Sequence, residues 1–291
     1  GPGVSGNVPP LGRMLDAGWR ALAYCLMPQV IWLSLLPLLL AVTVLGGLAW
    51  WGWGDGVAWV RALLDGWSVS QHVLSALDNW GLSQLRMAVA PLVLVLVVIP
   101  LVVVMCLLLV AALMTPALVK LVVRRRFPAL QSRHQASVWL SLWWSLRATV
   151  LALLALVLSL PLWLVPPLAV VLPPLIWGWL TYRVLVFDTL ADWATPQERE
   201  QLLRTHRPTL LTMGVIAGYL GAAPAALWAL GVLALALAPF ILLLSVWIYT
   251  LVFAFAALWF AHFLLPALSA LRAEASSPEP LTPQVAAGEP S

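Results

Sequence analysis

The sequence predicts an all-α integral membrane protein: two long transmembrane helices plus two helical hairpins that enter part or all of the bilayer, with short amphipathic helices beside them. Three observations carry that prediction. Hydrophobic residues make up 63% of the chain and charged ones 9%, where an ordinary globular domain carries about 25% charged, so a soluble surface cannot be assembled. The charges are also gathered, leaving charge-free stretches from Ala21 to Gly54, Met87 to Val119, Ala148 to Tyr182 and Pro208 to Leu271. Each exceeds the roughly 20 apolar residues that cross a bilayer. Finally, the excess of basic residues that gives the chain its net charge of +4 lies in segments between those stretches, which marks topology rather than a nucleic-acid surface.

Residues 1–10 are expected to be a disordered leader or a remnant of cleavage, 11–272 a single helical membrane domain, and 273–291 a disordered tail rich in Pro, Ser, Ala and Glu. Leu11 to Met27 places Arg13, Asp16 and Arg20 among Leu15, Trp19 and Leu22, the pattern of an amphipathic helix lying on a membrane. The first span, Pro28 to Trp53, is too long for the apolar core of a secretory signal and is read as retained. It closes on Trp50, Trp51 and Trp53, where amphipathic rings favour the interface. Ser68 to Gln71 then offers a helix start for Val73, Leu77 and Trp80. Met87 to Val119 is a second long span, interrupted by Pro91 and Pro100, each of which removes a backbone donor.

Lys120, Arg124, Arg125 and Arg126 follow, and the segment through Arg133 to Arg147 holds six basic residues and no acidic one. The positive-inside bias makes it cytoplasmic and those four residues topology determinants; the arginine run also suits anionic substrate or lipid head groups. Ala148 to Tyr182 is broken by Pro161, Pro166, Pro167, Pro173 and Pro174, and its 35 residues are too few for two comfortable spans and a turn. Arg183, Arg199, Arg204 and Arg207 mark the next loop as cytoplasmic again, so the stretch between must return to the same side, as a short proline-broken hairpin would. Thr195-Pro196-Gln197-Glu198 predicts a capped helix running to about His206. Pro208 to Leu271, broken by Gly214, Gly218, Gly221, Pro224, Gly231 and Pro239, predicts a second hairpin. Both chain ends are then cytoplasmic.

Chemistry-bearing residues are few. Cys25 and Cys106 are too few for a disulfide framework and read as small core residues. Asp188 and Asp192, four apart, would share a helix face with Arg183 and make either a proton or ion site or an ion pair with an arginine. His262 stands alone as an ionisable side chain in the last charge-free stretch, placed either inside the membrane or at its interface. No phosphate-cradling Gly-Lys-Ser or Gly-Lys-Thr loop, His-Glu-x-x-His or Gly-x-Ser-x-Gly occurs, so neither ATP-driven transport by this chain nor a familiar hydrolase is expected, and no cofactor or metal is.

Taken in order, Gly18-Trp19-Arg20, a first span with Leu36-Pro37-Leu38, a basic loop, and two hairpins flanking Tyr182 to Arg207 resemble the CysZ-like sulfate permeases, which share a superfamily with the etoposide-induced membrane proteins. The segment holding Tyr182, Asp188, Arg204-Thr205-His206-Arg207 and Gly214 is its most specific part, and the pattern covers about Leu11 to His262. The resemblance implies sulfate uptake for cysteine synthesis without ATP hydrolysis, in a bacterial inner membrane and often as a homo-oligomer. Permeases of this type carry a Gly-x-Arg-Arg-like anion motif at the start of the first long span, where this chain has Pro28-Gln29-Val30-Ile31-Trp32. A small inorganic anion would then rely on Arg20, Arg147 and Arg183 at span ends for charge and donors. The expected partners are that anion, membrane lipids and further copies of the chain. The contrasting reading is a non-transporting membrane scaffold, which the Trp-rich loop and the missing motif would allow.

Overall fold

A computed structural model of the chain describes residues 9–133, 138–221, 224, 227 and 230–277; most of the proposed leader and of the proposed tail lies outside the described residues, though Pro10 already opens the first helix. Among these the structure is helical: α1 (Pro10–Cys25), α2 (Pro28–Asp65), α3 (Ser68–Asn79), α4 (Ser83–Arg126), α5 (Val138–Ser159), a 3₁₀ turn (Leu160–Leu164), α6 (Pro166–Leu190), α7 (Pro196–Thr205), α8 (Arg207–Gly221), α9 (Val232–Ala236) and α10 (Ala238–Ser276). Among the described residues, five stretches are long and apolar enough to cross a membrane: Pro28–Asp65, Ser83–Val103, Trp143–Leu164, Pro166–Leu190 and Ala238–Ser276.

Local chemistry accounts for most boundaries. Pro28 opens α2 and Pro166 opens α6 at positions that spare the missing N–H. α7 carries the predicted capping box: Glu198 N donates to Thr195 Oγ1 at 3.2 Å and Thr195 N donates to Glu198 Oε1 at 3.0 Å. Ser68 does not cap α3; Trp67 holds the N-cap position without a side-chain bond, and Ser70 Oγ instead donates back to the Trp67 carbonyl at 2.7 Å. Arg124, Arg125 and Arg126 fill the last turn of α4, where cations offset the helix dipole.

The hairpins differ from the lengths read in the sequence. The arms of the first continue beyond the charge-free stretch, past Arg147 on one side and Arg183 on the other, into helices of 22 and 25 residues. An arginine near a span end is accommodated because its long stem lets the head reach water, so a charge there does not end a helix. The second hairpin is unequal, with 15 residues in α8 and 39 in α10.

The chain divides into two compact units. One comprises Ala21–Leu118 and Ile216–Leu258, where Trp247 Nε1 donates to Ser34 Oγ at 3.1 Å, tying α10 to α2. A Cβ on Gly56 of α2 would stand 3.1 Å from Leu94 of α4. Much of α4 shows apolar side chains to its surroundings, among them Leu96, Val97, Leu101 and Leu113, as a lipid-facing helix must.

The other unit comprises Gly1–Arg20, Val119–Val215 and Trp259–Ser291. Its core is the run from Trp259 to Leu265 on α10 with Tyr182, Phe187, Leu210 and Met213, all buried. α1 lays Met14 and Ala17 inward, and Trp259 Nε1 donates to the Met14 carbonyl at 3.0 Å; Leu11, Leu15 and Trp19 are exposed in an apolar stripe, as a helix on a membrane surface requires. α6 and α8 meet backbone to backbone: a Cβ on Gly178 would collide with Val215, and one on Gly214 with the Gly178 carbonyl. Arg272 holds the charged end of this unit together. It donates to Glu198 through Nε (2.9 Å) and Nη2 (3.2 Å), to the Gln131 carbonyl (2.7 Å) and to the Trp193 carbonyl (2.5 Å).

Candidate functional site

Arginines and tryptophans converge where α5 and α6 end beside α7, within the second of these units. Trp144, in the second turn of α5, stacks on Phe187 of α6 with ring centroids 5.0 Å apart. Its indole N–H donates to the Arg183 carbonyl at 3.3 Å, which ties the two arms at one level. The Arg183 guanidinium lies 5.0 Å from the Trp144 ring and 5.7 Å from Trp179. Arg199, from α7, approaches the same pair of rings, 4.5 Å from Phe187 and 5.6 Å from Trp144. Such cation–π contacts each contribute about 0.5–2 kcal/mol, enough to fix both heads.

Two cations on one indole repel one another. Burial, and after it the nearby Arg183, lowers the pKa of Arg199 below its ordinary value, and its Nη1 is buried with no hydrogen-bond partner. A buried charge-bearing donor without an acceptor is costly, and here it lies beside a second guanidinium, that of Arg183.

Arg183 borders two openings. A cleft of about 190 Å³ is lined by Tyr182, Arg183, Glu200, Leu203, Arg204 and Arg207; one carboxylate faces three guanidiniums, and it is partly used by Arg204 Nη2 at 2.5 Å. A smaller cavity of about 30 Å³ lies between Trp144, Arg147, Ala148, Leu151, Trp179 and Arg183. Guanidinium forks match oxyanion geometry, and their charge offsets lost hydration.

Of the residues expected from sequence, Arg147 and Arg183 are brought together across the smaller cavity. Arg20 instead pairs with Asp16 on its own helix at 3.0 Å. Asp188 stays in the last turn of α6, and Asp192 lies in the turn that follows the helix end at Leu190, where its carbonyl accepts from Ser132 Oγ. His262 is buried, with Nδ1 2.7 Å from Arg126 Nη1. Guanidinium has no acceptor, so Nδ1 takes the hydrogen bond and the imidazole is neutral, with its proton on Nε2. Lys120, Arg124 and Arg125 are exposed at the end of α4. Trp144 escaped sequence reading, and Arg199, Arg204 and Arg207 were legible there only as marks of topology. A helical register placing Glu200, Leu203 and Arg204 on one face, with Arg207 opening the next helix, was the available signal.

The helices, apolar surfaces and basic ends define a multi-pass α-helical membrane protein. The family model described as sulfate transporter CysZ/etoposide-induced protein 2.4 matches residues 17–230, and the chain belongs to that family. Comparison with curated proteins returned no match, and comparison with solved structures returned none.

Proposed function

We propose that this chain is a permease for a small inorganic oxyanion, with sulfate the first candidate, in a bacterial inner membrane and in the service of sulfur assimilation. The observation that carries the reading is the cleft where Arg183, Arg204 and Arg207 outnumber the single carboxylate of Glu200, at the end of an apolar hairpin. Family membership agrees with it. The cluster replaces, in this reading, the arginine motif missing at Pro28 to Trp32.

Each arginine serves a separate need. Arg204 and Arg207 are exposed and draw anions from water; Arg183, half-buried and pinned by two indoles, offers a fixed donor at the level where the span begins. A site that is only partly desolvated binds strongly enough to capture and weakly enough to release, which conduction requires. The chain lacks a nucleotide loop, so flux runs down a gradient or is coupled to an ion.

The test is radiolabelled sulfate influx into proteoliposomes against protein-free vesicles. Saturable influx that excess unlabelled sulfate suppresses, and that Arg204→Gln with Arg207→Gln reduces, is the expected result; influx at the protein-free level removes sulfate. The scaffold reading draws on Trp50 and Trp51, both 87% exposed, and capture of a stable membrane partner without flux would favour it.

A further inference from the structure

We infer that the smaller cavity between α5 and α6 is a binding site for the phosphate of an anionic phospholipid, with Arg147 as its principal ligand and Arg183 as the second. Arg147 is exposed on a helix whose neighbouring surface is apolar and equally exposed: Trp143, Leu146, Val150, Leu151 and Leu154. It lies four residues inside the membrane-length stretch that begins at Trp143, about 6 Å along the helix axis. That is where lipid phosphates meet acyl chains, and an arginine there must find an anion or reach water.

No ion pair among the described residues engages Arg147 or Arg183. The protein therefore leaves the Arg147 guanidinium on a lipid-facing surface, with Arg183 across a cavity whose lining holds no carboxylate. Phosphodiester oxygens supply the missing acceptors in bidentate geometry.

Size and lining choose among ligands. About 30 Å³ accommodates roughly two water-sized groups, which suits two phosphate oxygens whose glycerol and chains remain outside in the bilayer. A choline or ethanolamine head group would want a carboxylate or a free aromatic face for its ammonium. The cavity has no carboxylate, and Arg183 already lies against Trp144 and Trp179. An anionic head group such as phosphatidylglycerol meets no such mismatch. The inference concerns the lipid-facing cavity rather than the substrate cleft, so its test needs no transport activity.

The experiment titrates detergent-purified, delipidated protein with dioleoyl phosphatidylglycerol or dioleoyl phosphatidylcholine and counts retained lipid by native mass spectrometry. Wild type is expected to retain one phosphatidylglycerol in preference to phosphatidylcholine. Arg147→Gln should weaken that retention at least about tenfold, the scale of one lost charge-assisted hydrogen bond, whereas Arg61→Gln, at an exposed position of α2, should not change it. Elution volume and circular dichroism check the fold; should the glutamine variant fail them, Arg147→Lys, which keeps the charge but loses the fork, must show an intermediate loss. Undiminished retention in the readable variant, equal retention of the two lipids, or displacement of phosphatidylglycerol by inorganic sulfate would each overturn the proposal. Sulfate displacement would assign Arg147 to the anion path instead.

Discussion

Arg183 does more than end a charge-free stretch. Its stem crosses the level at which α5 and α6 are tied, its head rests on Trp144 and Trp179, and both openings use it. Removing the charge with Arg183→Gln deletes a charge-assisted donor worth about 1.5–3 kcal/mol, so saturable sulfate influx should fall by roughly ten- to a hundredfold. Arg183→Lys should recover only part of it, because an ammonium lacks the planar fork and stacks less well on indole. Influx indifferent to both changes would show that the anion passes elsewhere. A second residue-scale prediction concerns Cys25, whose thiol burial pushes up to about 11. Thiolate is the reactive form, so iodoacetamide at neutral pH should label Cys25 far more slowly than it labels an exposed peptide cysteine.

At the scale of elements, the charged helix α7 and the α6–α8 crossing show two different kinds of determination. The capping box of α7 was legible because it is local: Thr195, Pro196 and Glu198 contain all the atoms that form it. Thr195→Ala should cost about 1 kcal/mol, seen as faster amide hydrogen exchange across 196–205 with exchange in α10 unchanged. The α6–α8 crossing depends on Gly178 meeting Gly214, two glycines in different stretches, and sequence alone does not pair them. Gly178→Leu has no space to relax into, since its Cβ would sit 2.9 Å from the Val215 backbone. The expected outcome is loss of the monodisperse elution peak, whereas Gly46→Leu, with nothing within 4 Å, should elute as wild type. Hairpin length was misread for an equally physical reason: a charge-free stretch measures where charges are absent, and helices that end in snorkelling arginines run past it.

At the scale of the whole molecule, two partly buried groups titrate in the same direction as pH falls. Burial works against the charged form of Glu198, but hydrogen bonds from Arg272 and the Thr195 backbone outweigh it and hold the pKa at about 2, below its ordinary 4.5. Stability from this carboxylate is therefore complete above pH 4.5 and is lost as pH falls toward 2. His206 is shifted below its ordinary 6.5 by burial and by Arg13. Its folded form prefers the neutral ring, so protonation in the unfolded chain begins to reduce stability once pH drops under 6.5. Thermal unfolding in detergent should accordingly show a midpoint that declines from pH 7 to pH 5 and more steeply below 4.5. Arg272→Met should shrink the second, steeper phase and lower the midpoint at pH 7, with a cost of about 3 kcal/mol, since it leaves Glu198 with only its Thr195 and Arg133 contacts and two carbonyls without their donor.

By itself the sequence determined the solvent, the class and the family: how few charges it has and where they fall decide that the helices face lipid, and their spacing decides where helices can be. It also marked Arg147 and Arg183, because an arginine at the edge of an apolar stretch is conspicuous in one dimension. Only the tertiary structure decided which of those marks work together. It put Arg20 in a local pair with Asp16, set His262 against Arg126, placed Asp192 in the turn after α6, and placed Arg199 of α7 over the ring of Trp144. The reason is physical: helix propensity, caps and hydropathy are properties of neighbours along the chain, whereas an electropositive cleft is the sum of fields from residues that only packing makes adjacent.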